Sequence, residues 1–395
     1  MYLSPEIPAA ALWLLLGSFA CVLFLAAFYA FRVRNVVSYR RDSERRRAEK
    51  PDSEYRPVSV VVYSDGSADD LEKLLRDILS QDYPAAFELI VVNEGESPDV
   101  RDTVSMLRAT HPNIYLTFTP EGVVNLSRKK LGVTLGIKAS RYDIIVLTTT
   151  AVAIESPEWL RRMTRRFGPD GQGPDIVLGF AYVAPDEDTS FGRRRRAFDF
   201  VADSVRWLSV AIAGKPFRGS EYNMAYRKRV FMENKGFART LNLHNGDDDI
   251  FVSEIVRRGN TEVELSDASM VRLVNGNEPR AFTERVLRRY FTESFIRRRP
   301  RLLHTWAGLL QIGAYACAIA AAAVAYPNIQ VAIVGAVLVV AVTILNIRIW
   351  RSALTALKSR RLATTIPWLS MTYPFRKLGG KIHSRLGKQK KYTWD

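Results

Sequence analysis

The sequence predicts one α/β domain held by membrane-spanning helices. Residues 7–31 and 302–347 contain no charged side chain, and Tyr326-Pro327-Asn328 interrupts the second stretch near its middle. Because a bilayer core takes roughly 20 apolar residues per helix, the first stretch predicts one span and the second a hairpin of two. The roughly 245 residues between them alternate short apolar runs with helical patterns, which suits one large α/β domain.

The predicted domain alternates β-branched runs with helical patterns. The predicted strands are residues 58–63, 87–92 and 143–147, and the predicted helices are residues 71–79 and 129–139. Such alternation predicts parallel strands joined by right-handed crossovers. Ligands bind these sheets at the carboxyl ends of the strands. The chemistry is therefore expected at residues 63–65, 93–96 and 148–151.

Basic residues flank the apolar stretches. Residues 32–50 carry eight Lys/Arg against three acids, Arg297–Arg301 precede the hairpin, and residues 348–391 contain no acid. Since Lys and Arg are retained on the cytoplasmic side, we predict that Met1 and the Tyr326 turn lie outside and that the domain lies inside. A cleaved signal peptide is the alternative for the first stretch, but its charges follow the apolar run instead of preceding it.

The net charge of +16 lies largely at these flanks. This placement predicts attraction to anionic membrane lipids, and no nucleic-acid-binding motif accompanies it. Cys21 and Cys317 both fall in predicted spans, so no disulfide framework is indicated.

The predicted organisation has five parts. They are an N-terminal transmembrane helix (1–31), a basic juxtamembrane linker (32–56), a cytosolic α/β domain (57–300), a transmembrane helical hairpin (301–350) and a basic cytosolic tail (351–395). The tail contains a short apolar and aromatic segment, residues 366–375, followed by basic residues. Such a segment is predicted to lie in the membrane interface.

Several short motifs of the domain occur together in one order. They are VSVVVY (58–63), LSQDYP (79–84), ELIVVNEG (88–95), SRKKLGVTLGIKA (127–139), SPEW (156–159), NMAYR (223–227) and GDDDIF (246–251). In this order they resemble the membrane-bound family 2 glycosyltransferases. The resemblance implies a GT-A fold, which is a Rossmann-like mixed sheet, here with three transmembrane helices. It also implies inverting sugar transfer from a nucleotide-diphosphate sugar.

The resemblance assigns the catalytic base to an acidic motif. Asp248 would deprotonate the acceptor hydroxyl, with Asp247 and Asp249 beside it. The alternative is that these acids only cap a helix N-terminus, where they favour the helix dipole. One Asp would suffice for capping, and three crowded carboxylates raise one another's pKa.

The metal-binding motif of the family is missing. After the strand at residues 144–147 the family pattern expects Thr-Asp-Ala-Asp, whereas Thr149 and Ala151 occupy the two Asp positions here. A hydroxyl and a methyl group do not replace two anionic oxygen ligands of Mg²⁺ or Mn²⁺. No metal site is therefore predicted. If Mg²⁺ or Mn²⁺ is a cofactor, it binds without its usual Asp-x-Asp ligands.

The remaining site residues also follow from the resemblance. The implied donor-binding residues are Tyr63, Asp65, Glu94, Lys129, Lys130, Thr149 and Ala151, the acceptor-binding residues are Glu221 and Asn223, and the diphosphate-contacting residues are Arg288 and Arg289. Lys129, Lys130, Arg218 and Arg227 offer cations that could neutralise phosphate without a metal. The alternative to diphosphate contact is that residues 288–291 belong to a basic helix that faces solvent or lipid.

Two functions from different classes follow. The first is transfer of a sugar to a lipid-linked or polysaccharide acceptor at the inner leaflet of a bacterial inner membrane, in cell envelope glycan synthesis. The second is a catalytically inactive homologue that binds a partner glycosyltransferase or a glycolipid as a scaffold. The loss of the Asp-x-Asp pair favours the scaffold, and the acidic motif at residues 247–249 favours the enzyme.

Overall fold

The computed structural model describes residues 7–45, 51–65, 68–120, 126–188, 190–256, 259–296 and 303–386. The chain divides into two compact units. The helical unit comprises residues 1–38, 185–209 and 300–381, and the sheet unit comprises residues 39–184, 210–299 and 382–395. The basic residues 46, 47, 50, 297–299, 301, 388, 390 and 391 of the predicted flanks lie outside the described residues.

The α-helices of the described residues are α1 Ala9–Phe28, α2 Arg34–Arg45, α3 Ala68–Leu79, α4 Pro98–Arg108, α5 Arg128–Ala139, α6 Trp159–Thr164, α7 Phe191–Ile212, α8 Lys228–Glu233, α9 Asp249–Ile255, α10 Pro279–Thr292, α11 Leu303–Val324, α12 Ile329–Ala356 and α13 Ile366–Leu386. The strands are β1 Val58–Ser64, β2 Phe87–Asn93, β3 Ile114–Phe118, β4 Ile144–Thr149, β5 Val152–Ala153, β6 Ile176–Leu178, β7 Ala181–Tyr182, β8 Met224–Arg227, β9 Thr261–Val263 and β10 Val271–Leu273.

The sheet unit is built on a seven-stranded mixed sheet in the order β3-β2-β1-β4-β8-β6-β9. Strands β1 to β4 pair in parallel, and β8 runs antiparallel to β4 and β6. All residues of β1 and β4 are buried, as continuous β-branched runs favour in parallel strands covered on both faces. The predicted parallel strands and mixed sheet are confirmed. A second sheet has the order β5-β10-β7.

The register aligns the carboxyl ends of the central strands. Tyr63 of β1 pairs with Val92 of β2 and with Thr149 of β4. The residues that follow these strands therefore meet at one edge of the sheet, where parallel strands bring ligand-binding loops together.

Helix α5 packs closely on this part of the sheet because of a glycine. A Cβ atom at Gly136 would lie 2.8 Å from Val92 Cγ2 and 2.9 Å from Val61 Cγ1. Ser127 caps the helix by accepting a hydrogen bond from the Lys130 backbone N–H. The first turn of α5 is thereby fixed near the edge where β1 and β2 end.

The helical unit contains the predicted apolar helices. Among the residues that the structure describes, three helices are long and apolar enough to cross a membrane: Ala9–Arg45, Ala307–Val324 and Ile329–Ala356. The predicted single span and hairpin are confirmed as helices of this length and composition. Asn328 begins the second hairpin helix by accepting hydrogen bonds from the N–H groups of Gln330 and Val331.

Two helices extend beyond their predicted ends. The first apolar helix continues through a π-helical turn at Tyr29–Val33 into α2, so residues 34–45 of the predicted linker are helical. Helix α13 has 21 residues, and the predicted interfacial segment forms only its first half. Lys and Arg have helix propensities similar to those of long apolar residues. Hydropathy therefore predicted the limits of the apolar stretches but not the residues at which the helices end.

Candidate active site

A cavity of about 680 Å³ lies at the carboxyl edge of the central strands. Its walls come from the loops after β1, β4 and β10, from the loops before β8 and α9, and from residues of α3 and α10. The lining residues are Asp65, Asp70, Thr150, Ala151, Tyr222, His244, Asn245, Val274, Asn275, Ala281, Glu284, Arg285 and Arg288. The cavity therefore stands where the strand order predicts a ligand site.

The end of β4 is neutral. Thr149 is buried, and its hydroxyl accepts a hydrogen bond from the Ala151 backbone N–H at 3.2 Å. The Thr150 hydroxyl donates to Asp65 Oδ1 at 3.2 Å. Among the described residues, no group of three or more His, Cys, Asp or Glu side chains could hold a metal ion. The residues at this edge do not fit the divalent cation that the family resemblance implies.

A cluster of four charged side chains lies beside the cavity, and of the four only Arg288 lines it. We call Lys129, Glu221, Asp247 and Arg288 the charge cluster. Lys129 Nζ lies 2.9 Å from Asp247 Oδ2 and also contacts Glu221, while Arg288 Nη2 lies 2.5 Å from Glu221 Oε2 and 3.0 Å from Asp247 Oδ1. Two cations and two anions neutralise one another, as buried charges require.

The charge cluster shifts the pKa values of its members. Burial disfavours the charged form of Asp247, but Lys129 and Arg288 outweigh burial and lower the pKa of Asp247. Burial also lowers the pKa of Lys129, against the attraction of Asp247. Asp247 is therefore an ionised partner that fixes two cations, since a strongly lowered pKa makes a weak proton acceptor.

Asp248 and Asp249 have different surroundings. Asp248 is the N-cap of α9, where Oδ1 accepts from the Asp249 N–H at 2.7 Å and Oδ2 accepts from the Glu221 N–H at 3.2 Å. Asp249 pairs with Arg218 Nε at 3.0 Å and accepts a hydrogen bond from the Thr292 hydroxyl at 2.9 Å. Burial, with repulsion from Asp248, raises the pKa of Asp249 to about 7 against the opposing charge of Arg218.

The predicted donor residues divide between the site and the core. Tyr63 lies behind the charge cluster, with Lys129 Nζ 5.4 Å from its ring centroid. Lys130 is fully buried, and its Nζ donates to the carbonyls of Thr240 and Asn245 at 2.6 and 2.9 Å. Glu94 is partly buried in the turn after β2, and burial raises its pKa. In this structure Lys130 holds the loop before α9 and does not line the cavity.

Two other predicted positions lie away from the cavity. Asn223 is fully buried, where Nδ2 donates to the carbonyls of Phe180 and Ser269 and Oδ1 accepts from Trp159 Nε1 at 3.1 Å. Arg227 pairs in register with Ile144 at the start of β4, which is the opposite edge of the sheet. In this structure the Asn223 side chain connects core segments, and Arg227 is too far along the strand to reach the cavity edge.

The cavity also contains residues that the sequence did not single out. Arg285 lies three residues before Arg288 on α10, and both line the cavity, whereas Arg289 is not among the lining residues. The sequence carried a signal for Arg285, because a residue three positions before Arg288 lies on the same face of a helix. His244 lines the same cavity, and burial together with Arg288 and Lys129 lowers its pKa, which keeps the imidazole neutral at neutral pH.

A seven-stranded mixed sheet with a cavity at its carboxyl edge is the arrangement that the GT-A resemblance predicts. Residues 17–379 match the sequence profile of glycosyl transferase family 21, and the chain belongs to this family. The prediction of a GT-A glycosyltransferase is confirmed. The matching family is 21, whereas the sequence motifs were compared with family 2. No curated protein sequence matches the chain.

One solved structure supports the same fold, and two others are weaker structural matches. The mannosyltransferase of Pyrobaculum calidifontis in complex with GDP-Man and Mn²⁺ is 18% identical, with a TM-score of 0.51 over 93% of this chain and 100% of that chain. S. aureus TarS is 12% identical, with a TM-score of 0.39 over 84% and 92%. The glucosyl-3-phosphoglycerate synthase of Mycobacterium tuberculosis is 16% identical, with a TM-score of 0.39 over 61% and 80%.

Proposed function

We propose that this protein transfers a sugar from a nucleoside-diphosphate donor to a hydroxyl group of a lipid-linked or glycan acceptor at the membrane. The observation that carries the proposal is the cavity at the carboxyl edge, with Arg285 and Arg288 on one wall. A diphosphate leaving group needs positive charge, and these guanidinium groups supply it. Membership of glycosyl transferase family 21 supports the reaction class.

The proposed mechanism is an inverting displacement with Asp248 as the general base. The acceptor hydroxyl attacks the anomeric carbon while its proton passes to the Asp248 carboxylate. The bond between the anomeric carbon and the diphosphate oxygen breaks, and its electron pair leaves with the nucleoside diphosphate. The backbone N–H groups of Glu221 and Asp249 hold the Asp248 carboxylate in place.

We propose that the reaction does not depend on a divalent cation. Thr149 and Ala151 supply no anionic ligand where the family motif has two carboxylates. In this proposal Lys129 and Arg288 keep part of their predicted role in binding the donor phosphates. Both cations already contact Glu221 and Asp247, so a donor phosphate would have to share them.

A catalytically inactive scaffold is the second candidate. The specific observation in its favour is that the charge cluster neutralises Lys129 and Arg288 within the protein. Such a domain would bind a partner glycosyltransferase or a glycolipid without turnover. Binding of a nucleotide sugar and its transfer separate the two candidates.

The proposed setting is the inner membrane of a bacterium with the sheet unit in the cytoplasm. Three apolar helices and their basic flanks support this placement. The apolar helices would anchor the protein in the membrane, and the basic flanks would attract anionic lipids.

The test uses the full-length protein in lipid nanodiscs. Binding and hydrolysis of UDP- and GDP-sugars are measured in EDTA and again with Mn²⁺, and lipid extracts serve as acceptors. We expect donor binding that survives EDTA. A protein that binds no nucleotide sugar under either condition would contradict the enzymatic proposal, and stoichiometric Mn²⁺ binding in the cavity would contradict metal independence.

A further inference from the structure

The first turns of helix α7 carry four consecutive arginines, residues 193–196, in the helical unit. Among them, only Arg193 forms an ion pair with an acid in the part of the chain that the structure describes. Its Nε lies 2.6 Å from Asp188 Oδ2, and its guanidinium also contacts Asp186. The other three arginines therefore carry charges that no ion pair with a described acid neutralises.

The acids that precede this helix already contact arginines. Asp186 Oδ1 lies 3.5 Å from Arg360 Nη2, and the Arg360 guanidinium donates to the backbone carbonyls of Asp186 and Asp188. Glu187, the third acid of this segment, is exposed. Residues 193–196 and Arg360 thus place five positive charges beside three negative ones. The excess of positive charge makes an anion a favourable ligand here.

Arg196 has a polar atom that the described chain does not satisfy. Its guanidinium folds back over the first turn of α7, where Nη1 lies 3.4 Å from the position that a Cβ atom at Gly192 would take. Its Nε is buried and has no hydrogen-bond partner among the described residues. Burial and the like charges of Arg193 and Arg195 lower the pKa of Arg196, against weaker attraction by the two aspartates. A buried N–H group without an acceptor and crowded like charges both favour an incoming anion.

Aromatic packing places these arginines at one end of the apolar helices. Phe198 follows them by two residues, and its ring centroid lies 5.0 Å from that of Trp350 in α12. Helix α12 has 28 residues, whereas a bilayer core takes roughly 20 residues of helix. A span that begins after the turn at Tyr326 therefore reaches the boundary of the bilayer near Trp350, between Arg348 and Arg351. The phosphates of lipid headgroups lie at this level.

We infer that Arg194 and Arg196 of α7 bind the phosphate of an anionic lipid headgroup, at a site distinct from the general attraction of the basic flanks. The inference goes beyond the proposed function and shares with it only the membrane setting. Guanidinium groups match phosphate oxygens through charge-assisted hydrogen bonds. Phe191, which is 51% exposed at the start of α7, offers an apolar contact for the acyl chains of the same lipid.

The test measures lipid binding to the full-length protein in neutral detergent micelles. Native mass spectrometry follows the titration of phosphatidylglycerol and of phosphatidylcholine with the same acyl chains. Glycerol 3-phosphate supplies the headgroup phosphate without acyl chains.

Two double variants are compared in these titrations. Arg194→Gln with Arg196→Gln removes the proposed site, and Arg348→Gln with Arg351→Gln removes two exposed charges from the basic end of α12. We expect the α7 variant to weaken phosphatidylglycerol binding roughly 10- to 30-fold, because two phosphate-binding charges are lost. The α12 variant should bind phosphatidylglycerol nearly as wild type does.

Each outcome supports or overturns the inference. Equal losses in the two double variants would show general electrostatic attraction and reject the site, as would equal affinity of the wild type for the two lipids. Glycerol 3-phosphate that bound as tightly as phosphatidylglycerol would show a site for free phosphate and reject the lipid. If the α7 variant does not fold, Arg194→Gln alone replaces it, and unchanged phosphatidylglycerol affinity would overturn the inference.

Nucleotide-sugar binding by the same preparations tests the proposed function separately. A wild type that binds phosphatidylglycerol through α7 but binds no nucleotide sugar would contradict the proposed function alone. The opposite result would contradict the lipid site alone.

Discussion

Three consecutive aspartates show how surroundings decide the properties of identical side chains. Asp247 is paired with two cations, Asp248 accepts two backbone hydrogen bonds at a helix start, and Asp249 contacts Arg218 and Thr292. The pKa of Asp247 is lowered, whereas that of Asp249 is raised to about 7. Asp248 is the one that we propose as the base.

Replacing the proposed base should stop turnover without unfolding the protein. Asp248→Asn keeps the size and one of the two accepting oxygens but removes basicity, so we expect kcat to fall by roughly 10² to 10⁴ with donor affinity little changed. Sugar transfer and donor binding are measured in parallel, with the exposed Asp102→Asn as the control. If Asn variants at 247, 248 and 249 all complemented a gene deletion as wild type does, the enzymatic proposal would be wrong.

The raised pKa of Asp249 predicts a pH-dependent stability. The folded protein holds this proton up to about pH 7, whereas the unfolded chain releases it near 3.8. The stabilising contribution is therefore complete below the unfolded value and is lost as the pH rises through about 7. We expect the Tm of Asp249→Asn, measured against wild type, to improve progressively between about pH 4 and about pH 7 and to change little above that. A difference that did not change with pH would refute the raised pKa.

At the scale of elements, helices α5 and α10 carry the basic side of the site. Helix α5 contributes Lys129 at its first turn, and α10 contributes Arg285 and Arg288 from one face. Their positions depend on packing against the sheet and on the loops around α9. The close approach of α5 to β1 and β2 depends on small residues at the contact.

Adding one methyl group at that contact should destabilise the sheet unit. The Cβ of Gly136→Ala would come within 3 Å of the branched side chains of Val61 and Val92, which are fully buried. We expect a loss of about 1–3 kcal/mol in the free energy of unfolding, because the core must shift to admit the atom. The matched control is Gly379→Ala in α13, where no atom lies within 4 Å. Equal Tm values for the two variants would contradict the proposed packing.

At the scale of the whole molecule, the chain combines a sheet unit with three helices of membrane-spanning length. The first of these helices lies near the N-terminus, and the other two are joined by the turn at Tyr326. Lys and Arg at the flanks predict which side of the membrane each part occupies.

Cysteine labelling tests this orientation. In a background without Cys21 and Cys317, single cysteines replace Tyr326, whose side chain is 85% exposed, and the exposed Ser105 of α4. A membrane-impermeant maleimide added to intact cells should label the cysteine at 326 and leave the cysteine at 105 unlabelled until the cells are opened. The reverse pattern would place the sheet unit outside.

The sequence by itself determined the features that depend on local patterns. Uncharged stretches marked the apolar helices, and β-branched runs marked β1, β2 and β4. The prediction that the metal-binding carboxylates are missing after β4 rests on Thr149 and Ala151. Each of these signals needs only neighbouring residues, because hydropathy and strand propensity act over a few positions.

The tertiary structure decided which polar residues meet. It brought Lys129, Glu221, Asp247 and Arg288 from four separate segments into one charge cluster, and it buried Lys130 and Asn223 in hydrogen bonds with the backbone. It also left Arg285 in the cavity without an ion pair among the described residues. Pairing and burial depend on contacts between residues that are distant in the chain, and a sequence pattern carries no record of those contacts.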